Sequence, residues 1–139
     1  MKVLLDNCLA PVFASTLDGF VSHFGHRAFH IKDMNELPRG RDTADLEWIE
    51  FLRASNDLWI FISGDGRILK NKAERAALRS AGLHGFVLAP AYQKAPLPQV
   101  AATLVWRWPD IIKVTELLAP PAMHEIPIGK ATKLRQLPI

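Results

Sequence analysis

Short unbroken apolar runs alternate along this chain with longer segments in which apolar residues recur every three or four positions. The runs are KVLLD (2–6), RAFHI (27–31), LWIFIS (58–63) and HGFVLAP (84–90). Each has the length of a strand. The continuous apolarity of the third marks a parallel strand covered on both faces. Between the runs lie helical stripes. Pro11 opens PVFASTLDGFVSHF, with apolar residues at 12, 13, 17, 20, 21 and 24 and Gly25 as its C-terminal stop. TADLEWIEFLRAS puts Leu46, Trp48, Ile49 and Leu52 on one face and Glu47, Glu50 and Arg53 away from it. KNKAERAALRSAG is an alanine-rich basic helix ending at Gly82. PLPQVAATLVWRW is helical again, and DIIKVTELLA continues it beyond Pro109 until Pro120 and Pro121.

The order strand–helix–strand, helix–strand–helix–strand, then helices predicts a three-layer α/β/α domain with a mainly parallel central sheet. The polar segment KDMNELPRGRDT is a loop, and the tail 119–139 has room for one or two short edge strands outside a core of about 1–118. No repeat or low-complexity linker divides the chain, so residues 1–139 are expected to form one domain.

Composition narrows the class. Hydrophobic residues make up 49% of the chain, which excludes a disordered protein. No apolar run reaches the roughly 18 residues of a membrane span. The opening MKVLLDNCLAPVF is too short and too soon acidic for a signal peptide, and one cysteine, Cys8, cannot make an internal disulfide; both point to a cytoplasmic protein. The net charge is +3, unevenly spread: residues 1–66 hold ten acids and six bases, residues 67–113 eight bases and two acids. Such a division suits a site that gathers a cation at one edge and an anionic ligand beside it.

Three acids carry the chemistry. Ligands of an open parallel sheet bind at the carboxyl ends of its strands. Asp6 closes the first predicted strand and Asp65 the third, so both emerge at one edge. Asp45 has Trp48, Ile49 and Leu52 at i+3, i+4 and i+7, which places it in the first turn of a helix on its inward face. Singly, each has an ordinary structural use, as a cap, a helix-dipole partner or a turn residue. Together they repel unless a cation neutralises them, and an all-oxygen cluster suits Mg²⁺ or Mn²⁺. The glycines of Ser63-Gly64-Asp65-Gly66 would leave room for an ion and a phosphate beside Asp65.

MKVLLDNCLAP, TADLEWIEFL and WIFISGDGRI, in this order and spacing, resemble the three acidic blocks of the PIN-like domain, and more narrowly the compact bacterial proteins grouped with VapC-type toxins. GRILKNKAERAALRSAGLHGFVLAP and VWRWPDI are similar to that subgroup as well. The resemblance implies a metal-dependent ribonuclease fold, often paired with an antitoxin that blocks the site. It assigns Asp6, Asp45 and Asp65 to metal binding and catalysis, and Asn7 to orienting a metal-bound water or the substrate. PIN domains commonly carry a fourth acid soon after the third. Here Gly66 and Arg67 follow, and Glu74 and Asp42 are the acids that could stand in, neither of them assigned.

The expected function is therefore Mg²⁺- or Mn²⁺-dependent endoribonuclease and toxin of a toxin–antitoxin pair, with Arg67, Lys70, Lys72 and Arg75 holding flanking phosphates. The missing fourth acid motivates the alternative, a PIN-like module that binds nucleic acid or protein without cutting. A receiver-type phosphoacceptor lacks its acidic pair at Asp6-Asn7, and an aspartyl-phosphate phosphatase would need an acid where Cys8 stands. The histidines at 23, 26, 30, 84 and 124 show no metal-ligand spacing, and Trp106 and Trp108 are expected to be core or interface anchors. The Trp- and Pro-rich C-terminal segments leave room for a homodimer.

Overall fold

A computed structural model describes residues 1–139. Six strands, β1 Lys2–Leu5, β2 Arg27–His30, β3 Trp59–Ser63, β4 His84–Leu88, β5 Ala122–Ile126 and β6 Arg135–Leu137, form one sheet in the order β2-β1-β3-β4-β5-β6. The first five are parallel and β6 is antiparallel to β5. Helices α1 Pro11–Val21 and α4 Leu97–Leu117 pack together on one face, and α2 Asp45–Ala54 and α3 Lys72–Ala81 on the other. The chain is thus a three-layer α/β/α domain with a mostly parallel sheet.

Strand alternation sorts the two cores. Val3, Leu5, Ile60, Ile62 and Phe86 face α1 and α4, whereas Leu4, Trp59, Phe61 and Val87 face α2 and α3. Burial on both faces is why these strands read as continuous apolar runs. The largest side chains are fully enclosed, Trp48 and Phe61 meeting with ring centroids 5.1 Å apart. Removing such a ring costs about 3–5 kcal/mol.

Local signals set the ends of the helices. Pro11 occupies the first turn of α1, Asn71 Oδ1 accepts from the backbone N–H of Glu74 to cap α3, and Gly82 closes α3 at φ +65°. The α2 stripe is narrower than the pattern implies: Trp48, Ile49 and Leu52 are buried, but Leu46 is exposed. In α1 likewise Phe13, Leu17 and Val21 are buried, while Val12, Phe20 and Phe24 reach solvent.

The tail differs from expectation in one respect. β5 lies inside the sheet, paired on both sides, with Met123 and Ile126 fully buried; β6 is the edge strand. The packed core therefore runs past residue 118. The cause is that α4 completes a further parallel crossover from β4 to β5, which the Pro-rich sequence around residue 120 disguises as a terminal break. No helix is long and apolar enough to cross a membrane.

Candidate functional site

The strand order reverses at β1, which is followed by β2 on one side and flanked by β3 on the other. Ligand crevices of open α/β sheets form at such a point, outside the carboxyl ends of the strands. Asp6 follows β1 directly and Asp65 follows β3 by two residues, so the topology sets them beside one another. Asp45 is the first residue of α2. All three, with Glu74 from the first turn of α3, line one cleft of about 290 Å³.

Each carboxylate is held differently. Asp6 is buried, and its Oδ1 accepts from the backbone N–H of Cys8 (3.1 Å) and of Gly64 (3.4 Å). Burial pushes its pKa up to about 6; hydrogen bonds from Ser63, Cys8 and Gly64 hold it back, and the Asp45 charge adds to the rise. Asp45 Oδ1 accepts from the indole N–H of Trp48 at 2.9 Å. That indole is fully enclosed and needs an acceptor, so the packing of α2 itself aims Asp45 inward. Asp65 bonds to the backbone N–H of Arg67 through Oδ1 (2.9 Å) and to its guanidinium through Oδ2 (2.8 Å). Asp6 and Asp65 thus each perform a turn function with one oxygen.

Glu74 is the residue sequence reasoning left unassigned. Partial burial, the neighbouring Asp45 charge and a hydrogen bond with Asp45 raise its pKa. Its signal was the spacing Asn71-x-x-Glu74, a helix start that sets the acid on the first turn facing the sheet edge. Asp42, the other stand-in, is exposed in the turn Gly40–Asp42 and lines no part of the cleft.

A second, larger cleft of about 660 Å³ adjoins the first and shares Cys8, Asp65 and Arg67 with it. It continues past Lys70 toward Gln93 and Glu125 at the ends of β4 and β5. Of the phosphate-binding set, Arg67 and Lys70 line this cleft; Lys72 and Arg75, both on α3, line neither. Asn7 is exposed, and its Oδ1 accepts from Arg41 Nε at 2.7 Å rather than facing the acids.

The glycines flanking Asp65 do something other than open space for a ligand. A Cβ on Gly64 would lie 2.6 Å from Cys8 Cβ and 2.9 Å from its carbonyl oxygen, so Gly64 lets the loop after β1 pack against the loop after β3. Gly66 has no neighbour within 4 Å and no positive φ. Cys8 lies among these acids; partial burial and the Asp6 and Asp65 charges raise its thiol pKa, which keeps it protonated and a poor nucleophile at neutral pH.

The donor set is all oxygen; burial first and the Asp45 charge after it raise the pKa of Asp6 and of Glu74, and a hard divalent cation suits such a set. No three His, Cys, Asp or Glu side chains stand ready-assembled around a single point. Trp48 engages one oxygen of Asp45, and the Arg67 guanidinium one oxygen of Asp65.

A sequence model of the family described as PIN like domain matches residues 1–90, a span that contains β1 to β4 and all four acids. The chain belongs to the PIN-like domain family. Comparison with curated proteins and with solved structures returned no match. The PIN-like domain is a nuclease-type fold that generally uses divalent metals. In this PIN-like domain the first and third blocks end on the adjacent strands β1 and β3, and the second opens α2 above them.

Proposed function

We propose that this PIN-like protein is a metal-dependent endoribonuclease that hydrolyses RNA phosphodiester bonds in the acid cleft, and that it is the toxin of a VapC-type toxin–antitoxin pair. The observation that carries the catalytic reading is the gathering of Asp6, Asp45, Asp65 and Glu74 around one cleft at the sheet's switch point. Asp6, Asp45 and Asp65 would hold Mg²⁺ or Mn²⁺, with Glu74 as the fourth acid. When bound, the ion would neutralise the scissile phosphate and acidify a water.

The chain's own residues supply the rest. Asp6 is fixed by two backbone N–H groups and Asp45 by the Trp48 indole, so both carboxylates are oriented before any ligand arrives. Arg67 sits where the two clefts meet and exchanges Asp65 for a phosphate oxygen as the substrate enters. Lys70 holds the next phosphate along the larger cleft. Buried Ser63 and Ile68 complete the lining of the acid cleft.

The test is cleavage of single-stranded and structured RNA by the purified chain with Mg²⁺, Mn²⁺ or EDTA. The wild type cuts with metal and stops with EDTA, and Asp6→Asn or Asp65→Asn lowers the rate by about a hundredfold or more. No cutting under any metal, or equal cutting by both variants, ends this reading. A small reading frame beside the gene whose product co-purifies and blocks cleavage supports the toxin role; an antitoxin-free locus opposes it.

One observation favours a second reading, a PIN-like module that binds RNA without cutting. Both Asp65 oxygens are engaged by Arg67, and no three ligands are assembled. Metal-independent RNA binding with no product under any condition would select it.

A further inference from the structure

The mid-part of α4 carries a feature that the acid cleft does not use. Trp106, Asp110 and Lys113 follow one another at i, i+4 and i+7 on one stripe of the helix. Trp106 is 56% exposed, whereas Trp48, Trp59 and Trp108 are 0%, 5% and 4% exposed. Lys130 Nζ lies 4.8 Å from the centroid of the Trp106 ring. Beside it is a pocket of about 330 Å³ whose lining includes Lys113, Lys130 and Lys133.

Arg107 builds this pocket. It is 3% exposed, pairs with Asp110 at 3.1 Å and donates to the backbone carbonyls of Gly129 and Thr132. Those bonds fasten the loop 127–134 onto α4, so Lys130 and Lys133 are presented from an anchored backbone. Asp110, the single acid in the lining, is committed to Arg107, and none of the three lysines forms an ion pair. Arg107 Nε is buried without a partner; the Arg107–Asp110 pair is neutral as a whole, so the net charge of the pocket is that of its lysines.

We propose that Trp106 with Lys113, Lys130 and Lys133 is a platform for single-stranded RNA, separate from the acid cleft. Its choice of RNA rests on the ribonuclease reading above. Lys130 covers one side of the Trp106 ring, and the exposed remainder of the indole offers a stacking face to any base; lysines without carboxylate partners gain by replacing the counterions of a phosphate backbone. A protein interface is the poorer fit, because lysine is depleted from the centres of such surfaces and here Lys130 lies against the exposed Trp106, with Lys113 and Lys133 lining the adjoining pocket. The platform increases retention of a strand whose scissile phosphate lies elsewhere and adds no base specificity.

The experiment titrates the full chain with a 12-nucleotide oligouridylate in EDTA, following tryptophan emission and the anisotropy of end-labelled oligonucleotide. Because the other three tryptophans are enclosed, quenching reports on Trp106. We expect quenching that tracks binding, affinity about tenfold weaker in Trp106→Ala, and affinity within about twofold of wild type in Trp106→Phe with the quench gone. The double variant Lys130→Ala, Lys133→Ala lowers the slope of log affinity against log salt by about 1.4. Absence of binding, binding without quenching, wild-type affinity in Trp106→Ala, or a protein-concentration-dependent blue shift that hides Trp106 in a dimer each overturns the platform. RNA cleavage with Mg²⁺ separates the two readings: quenching without cutting removes the ribonuclease and leaves the platform, and cutting with a silent Trp106 does the reverse.

Discussion

The acid cleft and the lysine-rich patch on α4 gather like charges by opposite means. In the cleft, Asp6 is buried against backbone N–H groups, and Asp45 is tied to the Trp48 indole. Its charges are held by packing, and burial, with the Asp45 charge as a lesser contribution, raises the pKa of Asp6 and Glu74. On α4 the charged heads of Lys113, Lys130 and Lys133 stay in water, and only Arg107 beneath them is enclosed. A buried charge such as Asp6 opposes folding until a ligand neutralises it, whereas exposed charges cost little and act through salt-sensitive attraction. The first arrangement fits the proposed catalytic cleft and the second the proposed RNA platform.

The largest effect should come from Asp6→Asn. It removes cleavage by about a hundredfold or more and also stabilises the metal-free protein, because the buried charge is relieved while the acceptor for Cys8 and Gly64 remains. The sign follows from a pKa raised from 3.8 to about 6: the neutral carboxyl favours the fold, and that contribution disappears as pH rises through this window. The gain near pH 7 is up to about 3 kcal/mol, read as a higher midpoint in urea. A variant that is both inactive and destabilised would mean that Asp6 is structural.

Gly64→Ala comes next. Its Cβ would meet Cys8 at 2.6 Å, so a loss of about 1–3 kcal/mol in thermal or urea denaturation is expected. Cys8→Gly in the same chain should recover part of it. An unchanged midpoint would show that the two loops adjust freely, and that the cleft is less rigid than its hydrogen bonds imply.

Metal binding sharpens the contrast further. Mg²⁺ should raise the thermal midpoint of the wild type and leave that of Asp6→Asn unmoved. Its affinity should fall as pH drops through about 6, where Asp6 takes up a proton. Arg67→Gln should tighten Mg²⁺ a few-fold, measured by calorimetry, since it frees Asp65 Oδ2 from the guanidinium while Oδ1 keeps its bond from the backbone N–H. Removing Lys130 and Lys133 should leave Mg²⁺ affinity where it was. An equal change in both variants would erase the distinction between the two regions.

The smallest effect concerns neither region. His84 and His124 are buried with their Nδ1 atoms unpartnered, and burial lowers both pKa values. As pH falls below about 6.5 the unfolded chain takes up these protons first, so stability declines. His124→Phe should flatten that decline in pH-dependent denaturation; an unaltered profile would assign it to other groups.

Much of this was legible in the residues. Continuous apolar runs marked β1, β3 and β4 because strands buried on two faces have no polar positions to interrupt them. Asp6 and Asp65 could be set at one edge from strand polarity alone, and Asp45 could be aimed inward from its spacing to Trp48 and Leu52. The hidden parts depend on neighbours distant in the chain. β5 reads as a tail because Pro120 and Pro121 look like an end. Gly64 reads as room for a ligand, although what it makes room for is Cys8, 56 positions earlier. Lys72 and Arg75 follow Asp65 closely in sequence, but α3 carries them away from both clefts.

Periodicity, strand direction and the order of the acidic blocks determined by themselves that this is a three-layer α/β PIN-like chain with carboxylates at the sheet's carboxyl edge. Those properties are local, or follow from topology that local signals already constrain. Only the tertiary structure decided which oxygens are engaged, that Glu74 joins the cleft while Asn7 turns to Arg41, and that one of four tryptophans is left in water with Lys130 against its ring. Side-chain direction, burial and hydrogen-bond competition are set by groups brought together from across the chain, and they decide what a cluster of charges can do.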